Sequence, residues 1–268
     1  MQASKAYKPT SIMYALRQKR NVMTAVMLRD MRTRYFNHGL GFLVVALWPL
    51  AHMLILIMIY TIANRTTPFG ESIRVFFLTG LIPTLTFMYV SRFMSLSLVL
   101  NRPMLAFPVV MVTDIMAARA LLEIVAAFLT LFFALSILWF LGDDPWPRDV
   151  FQAAYAYLAT ILLAVGVGVL AGVMVMFFNF FATLYALAMI VIYISSGTLF
   201  VSTQLPDAIS GPLSWNPVVH AVEWMRIAYY DGYSDKLLSR SYLIGFGLTS
   251  LFLGLTLERM LRRKMLEG

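Results

Sequence analysis

No cysteine occurs in the 268 residues, which excludes disulfides, thiol chemistry and cysteine-ligated zinc. Charge is also scarce. Asp, Glu, Lys and Arg make up 13% of the chain, against roughly 25% in a soluble domain. Histidine is limited to His38, His52 and His220, which lie far apart. His220-x-x-Glu223 alone is a poor metal site, and neither His-Glu-x-x-His nor Gly-x-Ser-x-Gly is present, so zincin and serine-hydrolase chemistry have no motif. Gly-x-x-x-x-Gly-Lys-Ser/Thr is missing too, and Gly39-x-Gly41 is no nucleotide fingerprint, so the chain carries no P-loop. Residues 150–206 hold no charged side chain and no histidine.

What fills the chain is apolar. Hydrophobic residues are 60% of it, enough for about six membrane spans of roughly 20 residues each with their connections. The expected fold is an all-α membrane protein forming a single transmembrane domain over residues 1–268. Six transmembrane helices are expected at 40–63, 74–100, 115–141, 150–176, 182–201 and 241–257. No cleavable signal peptide is expected, because a long basic leader precedes the first apolar run near Leu40.

That leader carries Lys5, Lys8, Arg17, Lys19, Arg20, Arg29, Arg32 and Arg34 against Asp30 alone. Val22, Met23, Val26, Met27, Met31 and Tyr35 recur at helical spacing, with Arg29 and Arg32 off the stripe. The pattern predicts an interfacial amphipathic helix over residues 10–39, lying on anionic headgroups or packed on a neighbour. Four more cations, Arg259, Arg262, Arg263 and Lys264, follow the last span. The net charge of +8 therefore points to membrane lipids rather than nucleic acid. The same distribution puts both termini in the cytoplasm, which requires an even number of spans.

Two stretches break the hydrophobic pattern. Asn101-Arg102-Pro103 and Phe107-Pro108 place two prolines five residues apart, so residues 101–109 form a stiff turn rather than a continuous helix. Residues 196–235 are too apolar for a solvated loop and too broken, by Pro206, Gly211, Pro212 and Pro217, to span. A re-entrant outer hairpin is expected at 202–235, before the last span. Asn216-Pro217 opens its final helix, and His220, Glu223 and Arg226 follow on adjacent turns, where Glu223 pairs with either neighbour. Ionisable groups at membrane depth mark function or an ion-pair stitch. Gly168 and Gly172 suit close helix packing, within the chain rather than between copies.

These features together resemble the membrane subunit of ABC-2 type polysaccharide exporters, most closely the capsular polysaccharide export permeases. The residues that carry the resemblance are Arg29-Asp30, Arg32-x-Arg34-Tyr35, Gly39-x-Gly41, Trp48-Pro49-Leu50, Gly80-Leu81-Ile82-Pro83, Asn101-Arg102-Pro103, Pro108, Leu205-Pro206 and Trp215-Asn216-Pro217-x-x-His220-x-x-Glu223-x-x-Arg226. It covers nearly the whole chain.

The resemblance implies a multi-pass subunit of the bacterial inner membrane that is not itself an enzyme. It implies a homodimer with two ATPase subunits on the cytoplasmic side, which use ATP and Mg while this chain binds no cofactor. It also implies a lipid-linked polysaccharide substrate and periplasmic and outer-membrane export partners. Coupling to the ATPase would fall to Asn101, Arg102, Pro103, Met104, Phe107 and Pro108, with Arg29 and Arg32 beside them. Asn216, Pro217, His220, Glu223 and Arg226 would form an outer gate or clamp. Tyr89, Arg92, Phe93 and Trp224 are candidate channel or sugar contacts, with interface anchoring as the plainer role for each aromatic.

Three rival readings are weighed against this one. O-antigen, teichoic acid or a small lipophilic compound could replace the capsular cargo. An ion-coupled carrier would need internal repeats or buried acidic relays, and no repeat relates 40–141 to 150–257. A glycosyltransferase would need carboxylates, and the Asp143-Asp144 pair beside Pro145 reads as a solvated turn.

Overall fold

The structure is a computed structural model and describes residues 12–34 and 41–267. Lys5, Lys8, Tyr35, His38 and Gly39 lie outside the described residues, as does the side chain of Arg34. The described chain is all-helical: α1 (Ile12–Arg34), α2 (Gly41–Ile62), α3 (Ile73–Leu100), α4 (Val112–Phe140), α5 (Val150–Phe177), α6 (Phe181–Ile194), α7 (Asp207–Leu213), α8 (Pro217–Tyr229) and α9 (Arg240–Glu267). Five stretches are long and apolar enough to cross a membrane: Phe42–Ile62, Ile73–Leu100, Val112–Phe140, Val150–Phe177 and Arg240–Met265. At 14 residues, α6 spans about 21 Å, less than the roughly 30 Å of a bilayer core.

α3 is the buried centre, packed against α5, α4, α8 and α2, while α5 also carries α9. Small residues permit this. A side chain at Gly168 would meet Met94 Cβ at 2.5 Å, and one at Gly166 would meet the Gly247 carbonyl at 2.2 Å. Gly168 and Gly172 thus face α3 within the same chain, alongside Ser91, Met94 and Ser95. These contacts make α3, α5 and α9 run in one direction. The bundle therefore has a Ser72 end, where α3 begins, and an Asn101 end, where it stops. At the Ser72 end the Arg74–Asp143 ion pair, 2.8 Å, joins the start of α3 to the 141–149 turn.

Several boundaries depart from the sequence expectation. The helix expected at 115–141 already begins at Val112, because Asp114 Oδ2 accepts the Met111 N–H at 3.1 Å and caps it. The one expected at 241–257 continues to Glu267, with Arg262 bound to Glu258 one turn earlier. The one expected at 182–201 stops at Ile194. There the Ser195 and Ser196 hydroxyls donate to the Val191 and Tyr193 carbonyls, and Gly197 takes φ +76°. In α1, Val26 is buried and Met23 and Met27 are half-buried against the core, so the apolar stripe packs on α4 and α2.

The Gly166–Gly247 approach yields a stability test. Gly166→Val forces α5 and α9 apart and costs about 1–3 kcal/mol, read as a lower unfolding temperature in detergent. Gly245→Ala, whose added carbon meets nothing within 4 Å, leaves that temperature near wild type.

Candidate functional site

The Asn101 end is built where α3 runs into proline. Asn101 ends the helix with its N–H on the Ser97 carbonyl, and Arg102–Ala106 makes one 3-10 turn with Pro103 near its start. Residues 107–111 then lead to α4. Arg102, Pro103, Phe107 and Pro108 are exposed, with Phe107 at 58%, while Met104 is half-buried against the core. Val109 and Met111 are exposed as well, so this end presents an apolar knob.

Asn101, expected among the ATPase-coupling residues, is 1% exposed. Its amide is consumed by neighbours. Arg29 Nη1 donates to its Oδ1 at 2.9 Å, and its Nδ2 donates to the Ser97 carbonyl at 3.0 Å and to Asp30 Oδ2 at 3.4 Å. Arg29, expected to point off the helix stripe, therefore faces the loop, whereas Arg32 is exposed.

Asp30 also accepts from Arg119 Nη1 at 3.4 Å, and Arg119 pairs with Glu123 four residues on. The Arg119 guanidinium lies over the Phe93 ring, 5.0 Å from its centroid. Lys19 reaches Asp114 at 3.2 Å. Lys19 is half exposed, so the figure of about 3–5 kcal/mol for removing one partner of a buried pair applies to the Asp30–Arg119–Glu123 contacts alone.

The Ser72 end holds the second cluster. Asn216 caps α8 by accepting the Val218 N–H, and its Nδ2 donates to the Ile192 carbonyl and Ser195 Oγ, both at 2.9 Å. Pro217 occupies the first turn, where its missing N–H costs nothing. His220 Nε2 lies 2.8 Å from the Ser214 carbonyl and its Nδ1 accepts the Ser239 N–H at 3.1 Å, which is the pattern of a neutral Nε2–H ring. Burial lowers its pKa in the same sense.

Arg226 is fully buried. It donates to the Thr198 carbonyl at 3.0 Å and the Phe200 carbonyl at 2.8 Å, and lies 4.1 Å over the Phe76 ring. The expected direct pairing within the His220, Glu223 and Arg226 series is absent among the described residues. The Tyr233 hydroxyl instead donates to Glu223 Oε1 at 3.1 Å and accepts from Arg226 at 3.4 Å. Carbonyls turned inward by the 196–200 loop, rather than a carboxylate on its own helix, accept from the two terminal nitrogens of the guanidinium. That loop is fixed in turn by Thr198 Oγ1, 2.7 Å from Thr84 Oγ1, and by Gly80, where a side chain would meet the Thr198 carbonyl at 3.0 Å. Burial pushes the Glu223 carboxyl above the ordinary carboxylate range, against the opposing charge of Arg226.

The remaining candidates do not gather in one place. Tyr89 lies on α3 with its hydroxyl 3.4 Å from His52 Nδ1, and its ring is 6.3 Å from that of Phe93. Arg92 Nη1 donates to the Ala182 carbonyl at 2.7 Å and so ties α3 to the start of α6. Trp224 is buried, donating to Gln152 Oε1 at 2.7 Å under the Arg240 guanidinium, because α8 turns it onto α5.

Sequence reasoning left Glu123, Tyr233 and the 196–200 carbonyls without a role, and assigned none to Asp30 or Arg119. Arg119 and Glu123 were findable as opposite charges four residues apart inside an apolar run. Tyr233 carried no local signal.

This arrangement defines a polytopic helical membrane protein in which buried polar groups fasten helix to helix and helix to loop. Among the described residues no group of acids and histidines could hold a metal ion. The chain is 32% identical over 245 residues to the polysialic acid transport protein KpsM of Escherichia coli, covering 91% of this chain and 95% of that protein. It is 26% identical over 255 residues to the capsule polysaccharide export inner-membrane protein CtrC of Neisseria meningitidis serogroup B, covering 94% and 96%. To BexB of Haemophilus influenzae, named likewise, it is 24% identical over 250 residues, covering 93% and 94%. No protein-family model matches the chain. The chain belongs to the capsule polysaccharide export inner-membrane permease family, and it is the membrane permease subunit of an ABC exporter.

Arg226→Ala strands the Thr198 and Phe200 carbonyls, at about 1–3 kcal/mol for each buried acceptor. The expected result is a lower unfolding temperature in detergent, with a smaller loss in Tyr233→Phe. An Arg226→Ala protein as stable as wild type would contradict this reading of the cluster.

Proposed function

We infer that this permease moves lipid-linked capsular polysaccharide across the bacterial inner membrane as a homodimer, driven by two separate ATPase subunits. The chain itself binds no cofactor, and ATP and Mg act in the partner. Both termini lie in the cytoplasm, so the Asn101 end faces the ATPase and the Ser72 end faces the periplasm, where further export proteins take the polymer onward. The name of the Escherichia coli relative supports the cargo class, since it is described as a polysialic acid transporter.

The observation that carries the coupling assignment is the 102–111 segment. It is proline-bounded, apolar at its tip and tied at its base to α1 through Asn101 and Arg29. A stiff exposed loop of this kind transmits a push from an ATPase into α3. Arg102, Pro103, Met104, Phe107 and Pro108 form its body, with Arg32 on the exposed side of α1.

Six membrane traversals are supported by direction. Because α5 and α9 run the same way, the chain between them must return to the Ser72 end, and α6 with the 195–200 loop supplies that return. The α7–α8 segment then forms a re-entrant hairpin on the outer side, with Asn216, Pro217, His220, Glu223 and Arg226 holding it as a lid over the exit. α1 lies at the inner interface, its cations toward anionic lipid. Tyr89, Arg92 and Phe93 are the better-placed sugar contacts, being half-buried on α3, whereas Trp224 acts in packing α8 on α5.

Replacing residues 102–107 with a Gly/Ser linker, sparing the buried Asn101, is expected to abolish polysaccharide export while the chain still inserts in the membrane. Export at the wild-type rate would refute the coupling role. Accumulation of O-antigen, teichoic acid or a small lipophilic compound in a deletion strain, with capsule intact, would replace the cargo assignment.

A further inference from the structure

The charges at the Asn101 end join three elements at one carboxylate. Asp30 Oδ2, from α1, accepts from Asn101 at the base of the loop and from Arg119 on α4, each at 3.4 Å. Arg119 turns its other nitrogen to Glu123 and lays its plane over Phe93 of α3. Asp30, Asn101, Arg119 and Glu123 are 5%, 1%, 2% and 2% exposed. Lys19, half exposed, and Asp114, buried, add a second tie between the same two helices. An apolar contact would hold α1 on α4 at least as firmly, since buried ion pairs are weak evidence for stability. What the polar network adds is geometry. Its bonds are directional, so a shift of α1 along α4 by even one residue would leave buried charges without partners.

We propose that Asp30 and Arg119 form a latch that makes α1, the base of the 102–111 loop and the adjoining turns of α4 move as one body. A displacement of the loop is then delivered to α4 as well as α3, instead of being lost in sliding of α1. Asp30 and Arg119 are positioning residues, acting through the loop. The inference rests on the reading that this loop receives the ATPase.

The test uses the permease co-expressed with its ATPase subunits and reconstituted in vesicles, with ATP hydrolysis and exported polysaccharide measured together. Asp30→Asn keeps the size of the side chain and one acceptor oxygen, and removes its charge. The expected result is normal co-purification of the ATPase, continued hydrolysis, and about tenfold less polymer exported per ATP. A purely structural role would lower protein yield and leave that ratio unchanged. A second measurement covers poor folding of that variant. The chain has no cysteine of its own, so Lys19→Cys/Asp114→Cys gives a single pair for a short bis-maleimide, which adds to both thiols. Tying two parts that already move together leaves export as it was before cross-linking. Loss of export on cross-linking, or an unchanged export-to-ATP ratio in Asp30→Asn, overturns the latch alone. A wild-type chain that retains no ATPase overturns the parent reading and the latch with it.

Discussion

A guanidinium withdrawn from water needs acceptors around it, and each end of this bundle is organised by one. Arg119 draws Asp30 from α1 and Glu123 from its own helix, and takes the Phe93 ring of α3 as a platform. Arg226 draws two carbonyls from the 198–200 loop and rests on Phe76, also of α3. Neither arginine is left to lipid or solvent. Because removing such a partner costs more than the pair contributes net, each arginine fixes the position of segments that hydrophobic packing alone would leave free to slide. α3 lies under both, through Phe93 at one end and Phe76 at the other.

Helix positions were largely legible from hydropathy, because a bilayer demands long apolar runs and satisfied backbone. Boundaries were less so. Asp114 extended α4 by capping Met111, and serine hydroxyls with Gly197 ended α6 early, both local hydrogen-bond effects that hydropathy does not register. The two broken stretches were recognisable as candidate sites, since Pro103, Pro108 and the Asn216-Pro217 run interrupt otherwise simple patterns. Their partners were not. Residues 226 and 198, or 119 and 30, meet only through tertiary packing, and no spacing rule relates them. The expectation of pairing along α8 failed for the same reason: loop carbonyls and Tyr233 reached the charges first.

Transport imposes opposite demands on the two ends. In the proposed cycle the Asn101 end accepts a push, and it combines an exposed apolar tip with a buried, charge-filled base. In that cycle the Ser72 end opens and reseals; its helix α8 is buried in the apolar core against α3 and α5, and hydrogen bonds from Asn216 and Arg226 to backbone fix its register. His220 joins Ser214 to Ser239 across the hairpin, so the segments flanking α8 share one hinge side chain. Small residues where α3, α5 and α9 cross keep those helices close enough to shift together.

The account turns on the 102–111 loop meeting the ATPase. The most direct measurement is photo-cross-linking from a benzophenone maleimide attached at Phe107→Cys, the single thiol of the purified chain, which has no cysteine of its own, after reassembly with the ATPase subunits. The account predicts a covalent adduct with the ATPase subunit from that position and none from Trp215→Cys at the opposite end. An adduct from Trp215→Cys with none from Phe107→Cys would contradict it.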